Sequence, residues 1–131
     1  MSAPERDLAR LLAGLDPHPH PGEYVFASCA RVPEGLAAVV TVAEPEGWTV
    51  VCERAEAERT GLISSFPCAW ITLRVHSALE AVGLTAAVAG ALAGEGIACN
   101  VVAGFHHDHL FVPYAQGERA VALLRALAAS G

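Results

Sequence analysis

The sequence contains no lysine; all eight of its basic residues are arginine. That excludes Schiff-base chemistry and a P-loop lysine outright. No basic patch is present to neutralise phosphates, and a net charge of −6 argues against nucleic acid as a partner. No apolar run approaches the ~20 residues needed to span a bilayer, although 53% of the residues are hydrophobic. A cationic start followed by an apolar core is missing too, so no signal peptide is expected. A soluble cytoplasmic protein that engages no membrane is the simplest expectation. There is no C-x-x-C pair: Cys29, Cys52, Cys68 and Cys99 lie far apart. Three of them sit inside apolar runs and read as small buried hydrophobes. G-x-S-x-G and H-E-x-x-H are both absent, and no nucleophile, base and orienting group share a recognisable spacing. Enzymatic activity and a cofactor are therefore not expected.

What is present fits one compact domain or two small halves sharing a sheet, given 131 residues. Charge is unevenly placed, with ten acidic and five basic side chains in 1–65 and four and three in 66–131. The near-neutral, apolar second half suits burial against another sheet or subunit. Ser2-Ala3-Pro4-Glu5 has the form of a capping box, and Leu8, Leu11, Leu12 and Leu15 follow at helical spacing up to Gly14. Pro17-His18-Pro19-His20-Pro21-Gly22 cannot be helix and reads as a rigid extended connector. Strands are expected over Glu23–Ala30, Leu36–Ala43 and Trp48–Glu53, then a short helix Arg54–Thr60 stopped by Gly61. Ser64-Ser65-Phe66-Pro67 is the candidate boundary, which divides the chain into halves 1–65 and 66–131.

Cys68 to His76 is the clearest strand, with Ile71, Leu73 and Val75 on one face and Trp70, Thr72, Arg74 and His76 on the other. A glycine-bearing loop leads into a helix whose Leu84, Val88, Ala91 and Leu92 form one apolar stripe. Gly94 and Gly96 punctuate its end, where a left-handed residue can close the last turn. Ile97–Ala103 and His109–Tyr114 are expected strands around the turn Phe105–Asp108, and Gly117–Ala128 is the last helix. The second half thus runs strand, helix, strand, strand, helix. Those are the first five elements of a ferredoxin-like βαββαβ pattern, with the last strand missing. The fold class is α+β: two ferredoxin-like halves, antiparallel sheets, helices on one face. Gly90, in mid-helix, costs about 1 kcal/mol relative to alanine, which a close helix–helix or helix–sheet approach would offset.

Several residues carry potential chemistry. Backbone amides around Val82-Gly83-Leu84-Thr85, at a helix N-terminus, can hold a carboxylate without a cation, or form an ordinary loop. Asn100 can reach a ligand or satisfy a neighbouring loop. Asp108 can cap backbone amides or meet a ligand's amino group. His106, His107, Asp108 and His109, with His18 or His20, raise a weaker metal-binding reading, yet adjacent residues near a strand face opposite ways. Trp70 and Arg74 suit an interface core.

Trp70-Ile71-Thr72-Leu73-Arg74-Val75, Glu80-Ala81-Val82-Gly83-Leu84-Thr85, Gly96-Ile97-Ala98-Cys99-Asn100-Val101-Val102-Ala103-Gly104 and His107-Asp108-His109-Leu110-Phe111-Val112-Pro113 together resemble a small ACT domain protein. The chain is most similar to stand-alone bacterial ACT proteins, and through them to aspartate kinase regulatory and arginine-sensing ACT domains. Glu44-Pro45-Glu46-Gly47-Trp48-Thr49 matches the first half of such proteins, and the resemblance runs from Gly22 to Leu127. It implies two ACT-like halves that share or complement strands, and a regulatory module that binds an amino acid between paired domains of a homodimer. The implied ligand residues are Val82, Gly83, Leu84 and Thr85 with Asn100, Val101, Val102, Ala103 and Gly104. No catalytic domain stands in these residues, so any downstream effect would pass through a separate protein partner. A structural or protein-interaction domain with no ligand is the alternative.

Overall fold

The structure, a computed structural model, describes residues 7–75 and 77–130. The expected capping box at Ser2–Glu5 and the expected strand end at His76 lie outside them. The chain divides into two compact units, Gly22–Cys68 and Met1–Pro21 with Ala69–Gly131. The long strand β5 (Ser64–Leu73) contributes its first half to one and its second half to the other.

The unit Gly22–Cys68 contains β2 (Tyr24–Cys29), β3 (Ala38–Glu44), β4 (Gly47–Glu53) and α2 (Arg54–Arg59), followed by the first half of β5. Its strand order is β3-β4-β2-β5, and the β2–β4, β3–β4 and β2–β5 ladders are antiparallel. Val25, Cys52 and Ala57 form a small core with Leu36 and Leu62 packed against it. This is the ferredoxin-like order with a turn, around Pro33-Glu34-Gly35, in place of the first helix. Ser64-Ser65-Phe66-Pro67, the candidate boundary, is the start of strand β5. Tyr24 pairs with Cys68 and Phe26 with Ser65, so β5 carries one extra residue there, and Phe66 takes φ 55°. Such a bulge is where a proline can sit inside a sheet, because the unpaired residue needs no ladder donor. Cys68 is fully buried, donates its thiol to the Tyr24 carbonyl at 3.3 Å, and has its pKa pushed up by burial to about 12.

The other unit contains α1 (Leu8–Ala13), β1 (Pro17–Pro19), the second half of β5, α3 (Leu84–Ala93), β6 (Asn100–Ala103), β7 (Asp108–Pro113) and α4 (Gly117–Ser130). Asp7 caps α1 by accepting from the Arg10 amide at 3.1 Å. The strand missing after α4 is β1, which comes from ahead of the sheet. It pairs antiparallel with β5, Pro17 opposite Leu73, His18 opposite Thr72 and Pro19 opposite Ile71. With β7 and β6 this gives the order β1-β5-β7-β6. The expected connector is therefore an edge strand. Ladder contacts fall on the even-numbered residues: Arg74 donates its amide to Asp16 O at 3.0 Å and His20 donates to Trp70 O at 2.9 Å. Pro17 and Pro19 occupy the positions whose missing N–H would point away from β5.

Helices cover one face of this sheet. Ile71, Leu73, Leu110 and Val112 meet Leu84, Val88 and Leu92 of α3, Ala120, Val121 and Leu124 of α4, and Leu11 of α1 in one buried core. The alternation expected of β5 is kept, with Val75 packed on that core and Thr72 on the other face. At the end of α3, Gly96 takes φ 73° while Ile97 donates its amide to Leu92 O and Gly96 to Ala93 O, each at 3.0 Å. That is the glycine-closed helix end read from the sequence. The strand after it begins at Asn100 rather than Ile97, because these bonds hold the chain against the helix.

No close approach among the described residues compensates Gly90: it is exposed, and outside its own helix backbone none of them lies within 4 Å of where its Cβ would stand. Gly90→Ala is accordingly expected to stabilise the protein by about 0.5–1 kcal/mol. Denaturant titration should show a higher midpoint at unchanged slope; a lower midpoint would mean that Gly90 has a packing role.

Candidate functional site

The loop between β5 and α3 turns at Ala78–Ala81, where Ala81 donates its amide to Ala78 O at 3.0 Å. Gly83 then stands at the N-cap of α3 with φ 99°, a conformation costly for any residue bearing a Cβ. A Cβ there would also lie 3.1 Å from Leu8 Cδ2, so the missing side chain leaves room for that of Leu8. No side chain caps α3 and no acidic residue occupies its first turn. Its first amides present the positive end of the helix dipole.

This helix start borders a cavity of about 60 Å³. Ser77, Ala78, Leu79 and Ala81 form the loop side of the wall, and Leu84 and Thr85 the helix side. The opposing wall is Ala103 and Asp108, directly paired across the β6–β7 hairpin. Burial pushes the Asp108 carboxyl above its ordinary range, against the opposing pull of His109 and His107. His107 Nδ1 is itself buried with no hydrogen-bond partner.

Of the residues expected at a ligand, Leu84, Thr85, Ala103 and Asp108 come together on this wall. Val82 and Gly83 stand in the loop between wall residues. Asn100, Val101 and Val102 run away from it along β6, Asn100 being exposed opposite Phe111. Gly104 lies in the hairpin turn, where its amide donates to His107 O at 2.9 Å and a Cβ would meet that oxygen at 2.8 Å. Ser77, Ala78, Leu79 and Ala81, which also line the cavity, were not among the expected residues; their position just ahead of the helix was the available signal.

On the sheet face opposite the helices, β1 and β5 assemble a second polar group. His20 stacks on Trp70 with centroids 3.4 Å apart, and its Nε2 lies 2.7 Å from Thr72 Oγ1. Thr72 Oγ1 is 3.1 Å from His109 Nδ1, to which Trp70 Nε1–H also donates at 3.1 Å. Because indole can only donate, His109 Nδ1 is an acceptor and the neutral ring carries its proton on Nε2. Burial lowers the pKa of both His20 and His109, and positive neighbours (His18, His109 and Arg74 for His20; His107 for His109) add to it. Asp108 opposes the shift at His109. Arg74 is half exposed and pairs with Asp16 at 3.0 Å. Thus Trp70 and Arg74, expected at an interface, each have partners inside this unit. Among the described residues no three His, Cys, Asp or Glu side chains are placed to hold one ion. None of the described helices is long and apolar enough to cross a membrane.

Two family models match the chain, both described as ACT domain, over residues 3–69 and 65–126. No curated protein matches it. Among solved structures, a Vibrio cholerae protein of unknown function, termed a possible transport protein, is 43% identical. The match covers 92% of this chain and 95% of that one, with a TM-score of 0.83. A protein from Agrobacterium tumefaciens is 21% identical over 87% of this chain and 89% of its own, at TM-score 0.73. The ligand-free regulatory subunit of aspartate kinase from Thermus thermophilus shares the fold at 9% identity and TM-score 0.64, over 85% and 95% of the two chains.

The histidine network sets a pH dependence. Both rings have folded pKa values below the ordinary 6.5, so the unfolded chain binds protons first as pH falls. The stability they contribute is complete above 6.5 and is lost as pH falls from there through the folded values. Asp108, shifted upward, has the opposite sign, its burial penalty easing as it protonates. The melting temperature should therefore drop between about pH 7.5 and 5.5, and the drop should shrink in a His20→Gln/His109→Gln variant. An equal drop in that variant would show that other groups carry it.

Proposed function

The chain belongs to the ACT-domain family, and from that premise we propose that it is a regulatory module that binds a free amino acid. The observation that carries the reading is one cavity with two complementary poles: the uncapped N-terminus of α3 at Leu84 and Thr85, and the Asp108 carboxylate. A zwitterion fits both. Its carboxylate takes the first-turn amides, where the helix dipole favours an anion. Its ammonium meets Asp108, a carboxylate already raised in energy by burial and relieved by a nearby cation. At about 60 Å³ the cavity holds the amino and carboxyl groups of an amino acid, not all of it. Ligand would then bias whichever arrangement of the surrounding loop binds it better, and a separate protein partner would read the change. Action as a cytoplasmic homodimer is part of the same proposal. Its check is a solution mass twice the 13.6 kDa of one chain.

Thermal-shift measurements with free amino acids test the binding. A ligand at 100 times its Kd stabilises by about 2.7 kcal/mol, a rise of several degrees. Asp108→Asn should weaken binding roughly tenfold or more by removing a charge-assisted hydrogen bond, while leaving the unliganded protein as stable or more so. No shift with any amino acid would instead favour a structural or protein-interaction domain.

A further inference from the structure

Resting on that reading, we infer that the amino acid held at this cavity carries an uncharged, apolar side chain of the leucine or phenylalanine kind. The cavity, at about 60 Å³, is a fraction of the roughly 300–1,000 Å³ that encloses a whole small ligand. The ligand's side chain must therefore leave it across the rim. The same two segments that build the wall carry three large exposed apolar residues, with Glu80 and His106 the exposed polar ones beside them. Leu79, a wall residue, is 63% exposed; Val82, between wall residues Ala81 and Leu84, is 83% exposed. Phe105, in the turn that leaves β6 at Ala103 and returns at Asp108, is 76% exposed. Single exposed apolar residues need no explanation. Three large ones on the two segments flanking one polar cavity supply an apolar seat beside a zwitterion anchor.

Charge excludes the alternatives. Among the described residues Asp108 is the one ionisable side chain on the wall, and the ammonium occupies it. An acidic ligand would bring a second carboxylate, and among the described residues no cationic side chain lies on the wall to meet it; Arg74 pairs with Asp16, and Arg119 with Glu95. A basic side chain would find no second carboxylate among the described wall residues, since Glu80 is exposed in the loop and is not on the wall.

The test is calorimetric titration of the full chain with glycine, alanine, leucine, phenylalanine, aspartate and lysine. Leucine or phenylalanine should bind about tenfold or more tighter than alanine, with aspartate and lysine weakest. In a Val82→Ser/Phe105→Ser variant, both positions being exposed, the preference should collapse toward one while alanine affinity is kept. An unliganded melting temperature equal to that of the parent confirms that the variant is folded. Charged amino acids binding as well as leucine, or a preference unchanged in the variant, would overturn this inference and leave amino-acid binding intact. Failure of all six to bind would overturn both.

Discussion

Three residues of edge pairing, Pro17–Pro19 against Ile71–Leu73, hold this architecture to its form. Without them the α3–α4 unit would stop at α4 with one side of β5 bare, a row of amides and carbonyls with no partner. The proline alternation fits because a ladder uses only every second residue. It also fixes what each face receives. Pro17 is buried on the side where β1 lies against α4, while His18 and His20 take the side of Thr72. A slip of one residue would exchange the two sets. The stack on Trp70 and the shared Thr72 hydroxyl are consequences of that register.

Beyond Leu73 the same strand delivers the loop that forms the cavity. The chemistry proposed there needs no cationic side chain, which suits a chain without lysine in which Arg54, Arg59, Arg74 and Arg119 stand in ion pairs of their own. Backbone amides provide the positive pole and one carboxylate the negative. Affinity for the head group would then be set by backbone placement, and discrimination by the exposed apolar residues beside it.

The α+β class, the helix stripe of Leu84, Val88 and Leu92, and the faces of β5 were legible because each is a periodic pattern over many residues. The glycine closing α3 was legible because few residues tolerate φ near 73°. Two features were not. Proline alternation looks identical in a free linker and in an edge strand, and only the partner register separates them. Likewise Phe66-Pro67 reads as a break until the bulge opposite Tyr24 and Phe26 is seen. Within the cavity, Asp108 stood out by its charge. Ser77, Ala78, Leu79 and Ala81 carry no such mark, since their part is to supply a wall.

The placement of β1 also orders events in time. Residues 17–19 are made before their partner, which follows after the whole of Gly22–Cys68. The nascent chain thus carries a strand with no template through the making of about fifty residues. Closing so long a loop costs little more than closing one half its length, since the entropic penalty grows only logarithmically. Contacts of such sequence separation nevertheless slow the search for the native state. A segment stiffened by three prolines and poor in amide donors is well suited to that wait. It cannot coil into a helix, and it offers little to a wrong sheet.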